Sequence, residues 1–247
     1  MRFILMMSLS LALLASIPQA RARPAMGAAP DIAGVPRIVD GDTVQIDATK
    51  IRLTGIDAPE TDQVCLDPAG ERWACGVTAR DELIEHVGGK VWTCHISGTD
   101  RYRRSLAACE VAGEDVQKWM VRSGWALSFV RYSHVYDADE AIAREERSGL
   151  WAGAFIAPWD WRHRSTATVI LGAASVPINA QTILLSAASA AAAPDPDCTI
   201  KANISRTGCI YHQQADRWYA KMNMDLRGKR WFCSTEEAEA AGCRAPR

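Results

Sequence analysis

The stretch VDGDTVQIDATKIRLTGIDAPE, Val39 to Glu60, sets Asp42, Asp57, Glu60 and Arg52 on what reads as one tight β-hairpin. Val44 and Ile46, then Ile51 and Leu53, alternate with polar residues, the period of half-buried strands, and Asp47 to Lys50 supplies the turn. Pairing about a centre between Thr49 and Lys50 puts Ile46 opposite Leu53, Val44 opposite Gly55, and Asp42 opposite Asp57, all on one face. Two carboxylates directly opposed repel each other, so a cation belongs between them. A hard divalent ion bound through oxygen does this, and Ca²⁺ accepts a site made of two carboxylates, a backbone carbonyl and waters.

Pro59 ends the ladder and turns the chain, which carries Glu60 close to Asp57 without making it a strand residue. A third carboxylate beside a metal is a candidate general base or water-positioning group. Arg52 offers a bidentate fork to phosphate. Strict alternation, however, places Arg52 on the face opposite Asp57, so a bulge or strong coiling has to re-aim one of them.

DGDT, then IRLTGIDAPE, then DRYRR at Asp100 to Arg104, together resemble the staphylococcal (micrococcal) nuclease family, from about Val35 to Trp161. The resemblance implies a β-barrel with helices (α+β): a five-stranded barrel of OB-fold type with about three packed helices. It also implies Ca²⁺-dependent phosphodiester hydrolysis of DNA and RNA. By that resemblance Asp42, Asp57 and the carbonyl of Ala58 are metal ligands, Glu60 activates the attacking water, and Arg52 and Arg104 hold the scissile phosphate. Two departures stand out. Some members carry threonine where Ala58 stands, which matters little if only the carbonyl is used. Glycine is usual where Arg103 stands, which bears on the loop before Arg104.

The chain opens MRFILMMSLSLALLASIPQA, one arginine, an apolar run and a small-residue exit. This reads as a secretory signal over residues 1–22, so the protein is expected to be exported, to a periplasm or beyond. Its eight cysteines then read as disulfide material. Residues 33–164 form the expected nuclease-like domain. Between Asp31 and Arg164 there are 16 basic against 22 acidic residues, which argues against tight non-specific binding through many phosphates and suits a metal-dependent enzyme that releases its substrate.

Cys65 and Cys75 are expected to bridge and brace the loop that holds Glu60. Gly76 to Val87 reads as an amphipathic helix stopped by Gly88 and Gly89. Val91 to Ile96 and Ser105 to Val111 read as strands; pairing about Arg101 and Tyr102 makes Cys94 face Cys109, and a second disulfide is expected there. Arg101 and Tyr102 are candidate substrate contacts in a small basic cluster. Asp115 to Ser123 and Asp137 to Ser148 read as further helices, Trp125 to Tyr132 as extended chain, and GLWAGAFIAPWDWR from Gly149 as an aromatic seal.

Residues 165–194 are apolar but interrupted by Pro177, Asn179 and Gln181, too broken for a membrane span, and read as an Ala-rich linker. Residues 195–247 form a small separate C-terminal module with four cysteines, Cys198, Cys209, Cys233 and Cys243. Its IKANIS, IYH, WFCS, EA and AG elements resemble small modules appended to exported nucleases. No CxxC knuckle is present, so two disulfides are expected rather than zinc. The expected partner is nucleic acid, single-stranded or breathing segments by preference, with the protein a monomer outside the membrane. The competing reading is a nuclease-shaped binding module without catalysis.

Overall fold

In the hairpin, the inward residues Val44, Ile46, Ile51 and Leu53 are all buried, but the turn falls earlier than expected. Asp47 takes the left-handed conformation, with φ 50°. Strands Thr43–Ile46 and Thr49–Leu53 pair as Thr43↔Arg52, Val44↔Ile51 and Ile46↔Thr49. The expected pairs Ile46–Leu53, Val44–Gly55 and Asp42–Asp57 are therefore corrected. Period-2 alternation fixes which face a residue takes; only the turn fixes its partner.

The protein is described by a computed structural model covering residues 31–163, 168–172, 177–188, 193, 195–205, 208–224 and 229–246. The expected signal at 1–22 lies outside the described residues. The hairpin belongs to a mixed seven-stranded sheet. Its order is Asp31–Gly34, Trp92–Thr99, Ser105–Val111, Thr49–Leu53, Thr43–Ile46, Arg37–Ile38, with Glu114–Asp115 also on Ser105–Val111. All pairs are antiparallel except Thr49–Leu53 with Ser105–Val111. The sheet curls so far that Ile46 packs against Gly34 of the first strand. Seven strands stand against the five expected; Arg37–Ile38 and Glu114–Asp115 are two-residue extensions.

The inner face packs against helices Cys75–Val87 and Val116–Arg122 through Leu83, Val87, Val116, Met120 and Val121, with Trp92 fully buried among them. Gly88 ends the first helix with φ 55°, and Asp115 caps the second by accepting from the Lys118 N–H. Helix Asp137–Glu146 carries Asp137, Asp139 and Glu140 in its first turn, where the helix dipole favours acids. Trp125 to Tyr132 is extended only at Leu127–Ser128, which pairs with Ile56–Asp57. The tryptophan-rich segment packs: Trp151, Phe155 and Trp161 are buried.

In the stretch read as a linker, Ile170–Gly172 pairs with Ala154–Ile156, and Ala180 and Leu184 of helix Ala180–Ala188 pack on Leu66, Ala154, Ile156 and Trp161. Among the described residues no helix is long and apolar enough to cross a membrane. The C-terminal region forms its own four-stranded sheet, in the order Lys229–Phe232, Ile200–Ser205, Gly208–His212, Cys243–Arg244. Helix Thr235–Ala240 closes a core of Ile200, Ala202, Tyr211, Phe232 and Ala238. Four disulfides are formed, Cys65–Cys75, Cys94–Cys109, Cys198–Cys233 and Cys209–Cys243. No described cysteine is free, so zinc ligation by the tail is set aside.

Candidate active site

Strand Thr49–Leu53 stops at Leu53, and Gly55 turns the chain with φ 78°. The short strand Ile56–Asp57 starts afresh on a different partner, Leu127–Ser128. Alternation therefore cannot be counted from Arg52 through to Asp57, which removes the conflict of faces found in the sequence. No bulge is needed, because the strand is broken.

Asp42 lies at the mouth of strand Thr43–Ile46. Its Oδ2 accepts from the Ala58 N–H at 2.9 Å and its Oδ1 from the Thr43 hydroxyl at 3.2 Å, while its own N–H donates to Asp40 at 3.0 Å. Arg52 lies between the two aspartates: one Nη pairs with Asp42 and the other with Asp57 Oδ1 at 2.5 Å. Asp42 is 2% exposed and Asp57 is fully buried. The two acids converge on the Arg52 guanidinium, where the sequence predicts a divalent ion, and they do so without facing each other across a ladder.

Glu60 is fixed by the chain behind it. A Cβ on Gly76 would fall 1.7 Å from the Glu60 carbonyl oxygen, so only glycine lets the start of helix Cys75–Val87 approach so closely. The Cys65–Cys75 bridge ties that helix start to the loop after Glu60. The Glu60 carboxylate accepts from Arg162 at 2.6 Å through Oε1 and from Arg230 through Oε2. Arg162 also forks onto Asp57, at 2.6 and 3.1 Å.

Arg104 follows the loop of Arg101 to Arg103. Arg103 has φ 65°, the conformation that glycine adopts at least cost, which accounts for the family's preference there. Arg104 donates to Asp100 at 2.8 Å through Nε and to the Thr43 hydroxyl at 3.3 Å. Since Thr43 also touches Asp42, a continuous polar chain runs from Arg104 through Thr43, Asp42, Arg52, Asp57 and Arg162 to Glu60. Arg101 and Tyr102 stay exposed beside it, both Arg101 and Arg104 lying over the Tyr102 ring.

Burial dominates the electrostatics. It pushes the Asp42 carboxyl up to about 7, opposed by Arg52 and reinforced by Asp40 and Glu60. Burial likewise raises Asp57 and Asp40 against the pull of Arg52. Glu60 goes the other way: burial would raise it, but Arg230 and Arg162 together hold it well below the usual carboxylate range. Asp40, Asp42, Asp57 and Glu60 thus crowd around two guanidiniums, Arg52 and Arg162, before Arg230 is added.

The donor type suits a hard cation, since Asp42 and Asp57 offer oxygen and no sulfur or imidazole; the point on which the two carboxylates converge is held here by the Arg52 guanidinium. Among the described residues no group of three or more His, Cys, Asp or Glu side chains is arranged to hold a metal. An ion here would rest on two carboxylates, with backbone carbonyl and water completing its shell.

Comparison with known proteins identifies a family for the segment that carries most of these residues. The family model described as staphylococcal nuclease homologue matches residues 50–153, which include Arg52, Asp57, Ala58, Glu60 and Arg104. An uncharacterized endonuclease of Escherichia coli O157:H7 is 36% identical over 143 residues, covering 54% of this chain and 87% of that protein. The succinoglycan biosynthesis protein ExoI of Rhizobium meliloti (strain 1021) is 34% identical over 128 residues, 51% of this chain and 67% of that protein. The staphylococcal-like nuclease CAN1 of Arabidopsis thaliana is 34% identical over 116 residues, 46% and 33%. The chain belongs to the staphylococcal nuclease homologue family.

Sequence reading missed Arg162 and Arg230. Arg162 sits in WDWRH, where the tryptophans dominate the pattern; Arg230 is remote in sequence from Glu60 and Asp62. Neither carries a local signal.

Proposed function

We propose that this chain is an exported, Ca²⁺-dependent endonuclease that hydrolyses phosphodiester bonds in DNA and RNA and leaves 3′-phosphates. The observation that carries the reading is the convergence of Asp42 and Asp57 on Arg52, with Glu60 and Arg104 joined to them by one polar chain.

A phosphodiester is a poor electrophile shielded by negative charge, so its hydrolysis needs cations on the phosphate, an oriented water and help for the departing oxygen. Arg52 and Arg104 are the guanidiniums that neutralise the non-bridging oxygens, for which Arg52 exchanges part of its hold on Asp42 and Asp57 for the phosphate. Glu60, held ionised by its arginines, takes or orients the proton of the attacking water. Arg104 or an ordered water assists the departing 5′-oxygen. Asp42, Asp57 and the Ala58 carbonyl would hold a calcium ion, whose chemistry there would be added positive charge against the phosphate.

The barrel surface carrying Tyr102 favours unpaired bases that can stack. The acidic balance of the domain favours release over retention. Export is supported by the N-terminal pattern and by four disulfides, bonds that persist in oxidising compartments. The alternative, an inactive nucleic-acid-binding module, has against it that every residue of the expected catalytic set is present.

The test is incubation of plasmid and single-stranded DNA and RNA with the protein and Ca²⁺, with and without chelator, followed by end-group analysis. Chelator-sensitive cutting that leaves 3′-phosphates is expected. Binding without any such cutting would favour the inactive module.

A further inference from the structure

The C-terminal region is seated on the active site. Arg230, on strand Lys229–Phe232, is 6% exposed. It pairs with Glu60, with Asp62 at 3.2 Å, and more distantly with Glu237 of its own region at 4.0 Å. Ser234 caps helix Thr235–Ala240, and the first turn so fixed brings Glu237 to accept from the Cys233 N–H at 2.8 Å and from the Thr61 hydroxyl. Around this centre Lys50 pairs with Glu239 at 3.1 Å and Arg37 with Glu236 at 3.7 Å. On the far side Gly242 lies against the Tyr102 ring, which a Cβ would meet at 2.7 Å. The contacts thus reach the Glu60 loop, the hairpin and the Tyr102 loop together.

We propose that the C-terminal region completes the active site, with Arg230 as a positioning residue for Glu60. The proposal rests on the reading of Glu60 as the residue that handles the attacking water. The two Glu60 oxygens are held unequally. Oε1 faces Arg162, whose side chain is 30% exposed and is shared with Asp57. Oε2 faces Arg230, which is buried and fastened to Asp62 as well. Arg230 pins Oε2 and so sets the direction of Oε1, the oxygen on the side of Asp57, to which the proposed reaction assigns the attacking water. A carboxylate that must present one lone pair gains from such an anchor in the way a metal ligand gains from its outer partner.

Full-length protein carrying Arg230→Ala or Arg230→Lys is assayed with Ca²⁺ on a single-stranded oligonucleotide, kcat and KM being measured separately, each also combined with Glu60→Gln. Arg230→Ala is expected to lower kcat by roughly 10- to 100-fold with KM close to wild type. Arg230→Lys keeps the charge without the fork and is expected to fall between. Neither should lower kcat further once Glu60 is Gln, because both act through the same carboxylate. If circular dichroism shows that Arg230→Ala does not fold, Arg230→Lys and its combination with Glu60→Gln decide the matter alone. An unchanged or increased kcat, or losses that multiply with that of Glu60→Gln, would overturn the proposal while leaving the nuclease reading intact. Wild-type protein without chelator-sensitive cutting would overturn that reading first and this proposal with it.

Discussion

Arg52, partly buried, and Arg230, buried, each bridge two carboxylates, yet they reach them by different routes. Arg52 is brought to Asp42 and Asp57 by a hairpin and the turn that follows, all within Val39 to Glu60. Arg230 is brought to Glu60 and Asp62 by a separate sheet whose place depends on its own core and two disulfides. The first is a product of local chain geometry and the second of docking. Substitutions that disturb one route should therefore leave the other standing.

The largest expected effect falls on the residue where the routes meet. Glu60→Gln should slow cutting by roughly 10²- to 10⁴-fold, the loss typical of a general base, with the fold intact by circular dichroism; an unchanged rate removes Glu60 from the mechanism. Next comes Arg52→Ala, which strands two buried carboxylates and should cost about 3–5 kcal/mol of stability in chelator, measured by urea unfolding. Added Ca²⁺ should recover part of that loss by binding the folded form, but should not recover the loss from Arg230→Ala. Equal recovery in both would erase the distinction between the two arginines.

The disulfides sharpen the same contrast. Replacing Cys94 and Cys109 by alanine opens a bridge of sequence separation 15, worth about 3 kcal/mol in the chain-entropy account. It should lower the unfolding midpoint with little change in kcat. Replacing Cys198 and Cys233 loosens the strand end beside Arg230 and should lower kcat as well.

What the sequence made legible follows from how far each feature depends on neighbours along the chain. Alternation placed Val44, Ile46, Ile51 and Leu53 inward, which needs only period 2; Cys94 does face Cys109, but through a register shift between Ile96 and Gly98 that the sequence did not announce. Alternation misplaced the Asp42 and Asp57 pairing, because Asp47 turns the chain early and Gly55 breaks the strand. The motif residues Asp42, Arg52, Asp57, Glu60 and Arg104 lie in recognisable strings, and the structure joins them in one network. Arg162 and Arg230 come from a tryptophan-rich helix and a distant strand, and nothing near either of them in sequence announces a carboxylate partner.

A subtler effect is expected from pH. Burial pushes Glu237 from 4.5 up to about 7, with Asp62 adding repulsion, while Arg230, the Thr61 hydroxyl and the Cys233 N–H oppose it. The folded chain then keeps a proton that the unfolded chain has released between those values. Glu237 therefore favours folding below the window and loses that contribution as pH rises through it. Glutamine has no such dependence, so the unfolding midpoint of Glu237→Gln should gain on wild type between about pH 5 and pH 8; a constant difference would deny the shift. The smallest effect belongs to Arg101→Ala at the exposed loop, where a modest rise in KM without loss of kcat is expected if it only holds substrate.

The bridge Cys65–Cys75 anchors the loop behind Glu60, and Cys198–Cys233 ends three residues after Arg230. Both grips on one carboxylate are thus locked by bonds that glutathione and thioredoxin keep open inside a cell. On the proposed reading of Glu60, a chain still among reduced thiols would hold that carboxylate loosely and cut nucleic acid more slowly than the same chain once its sulfurs are closed. Comparing cutting by the thiol-reduced and oxidised proteins gives the size of that difference.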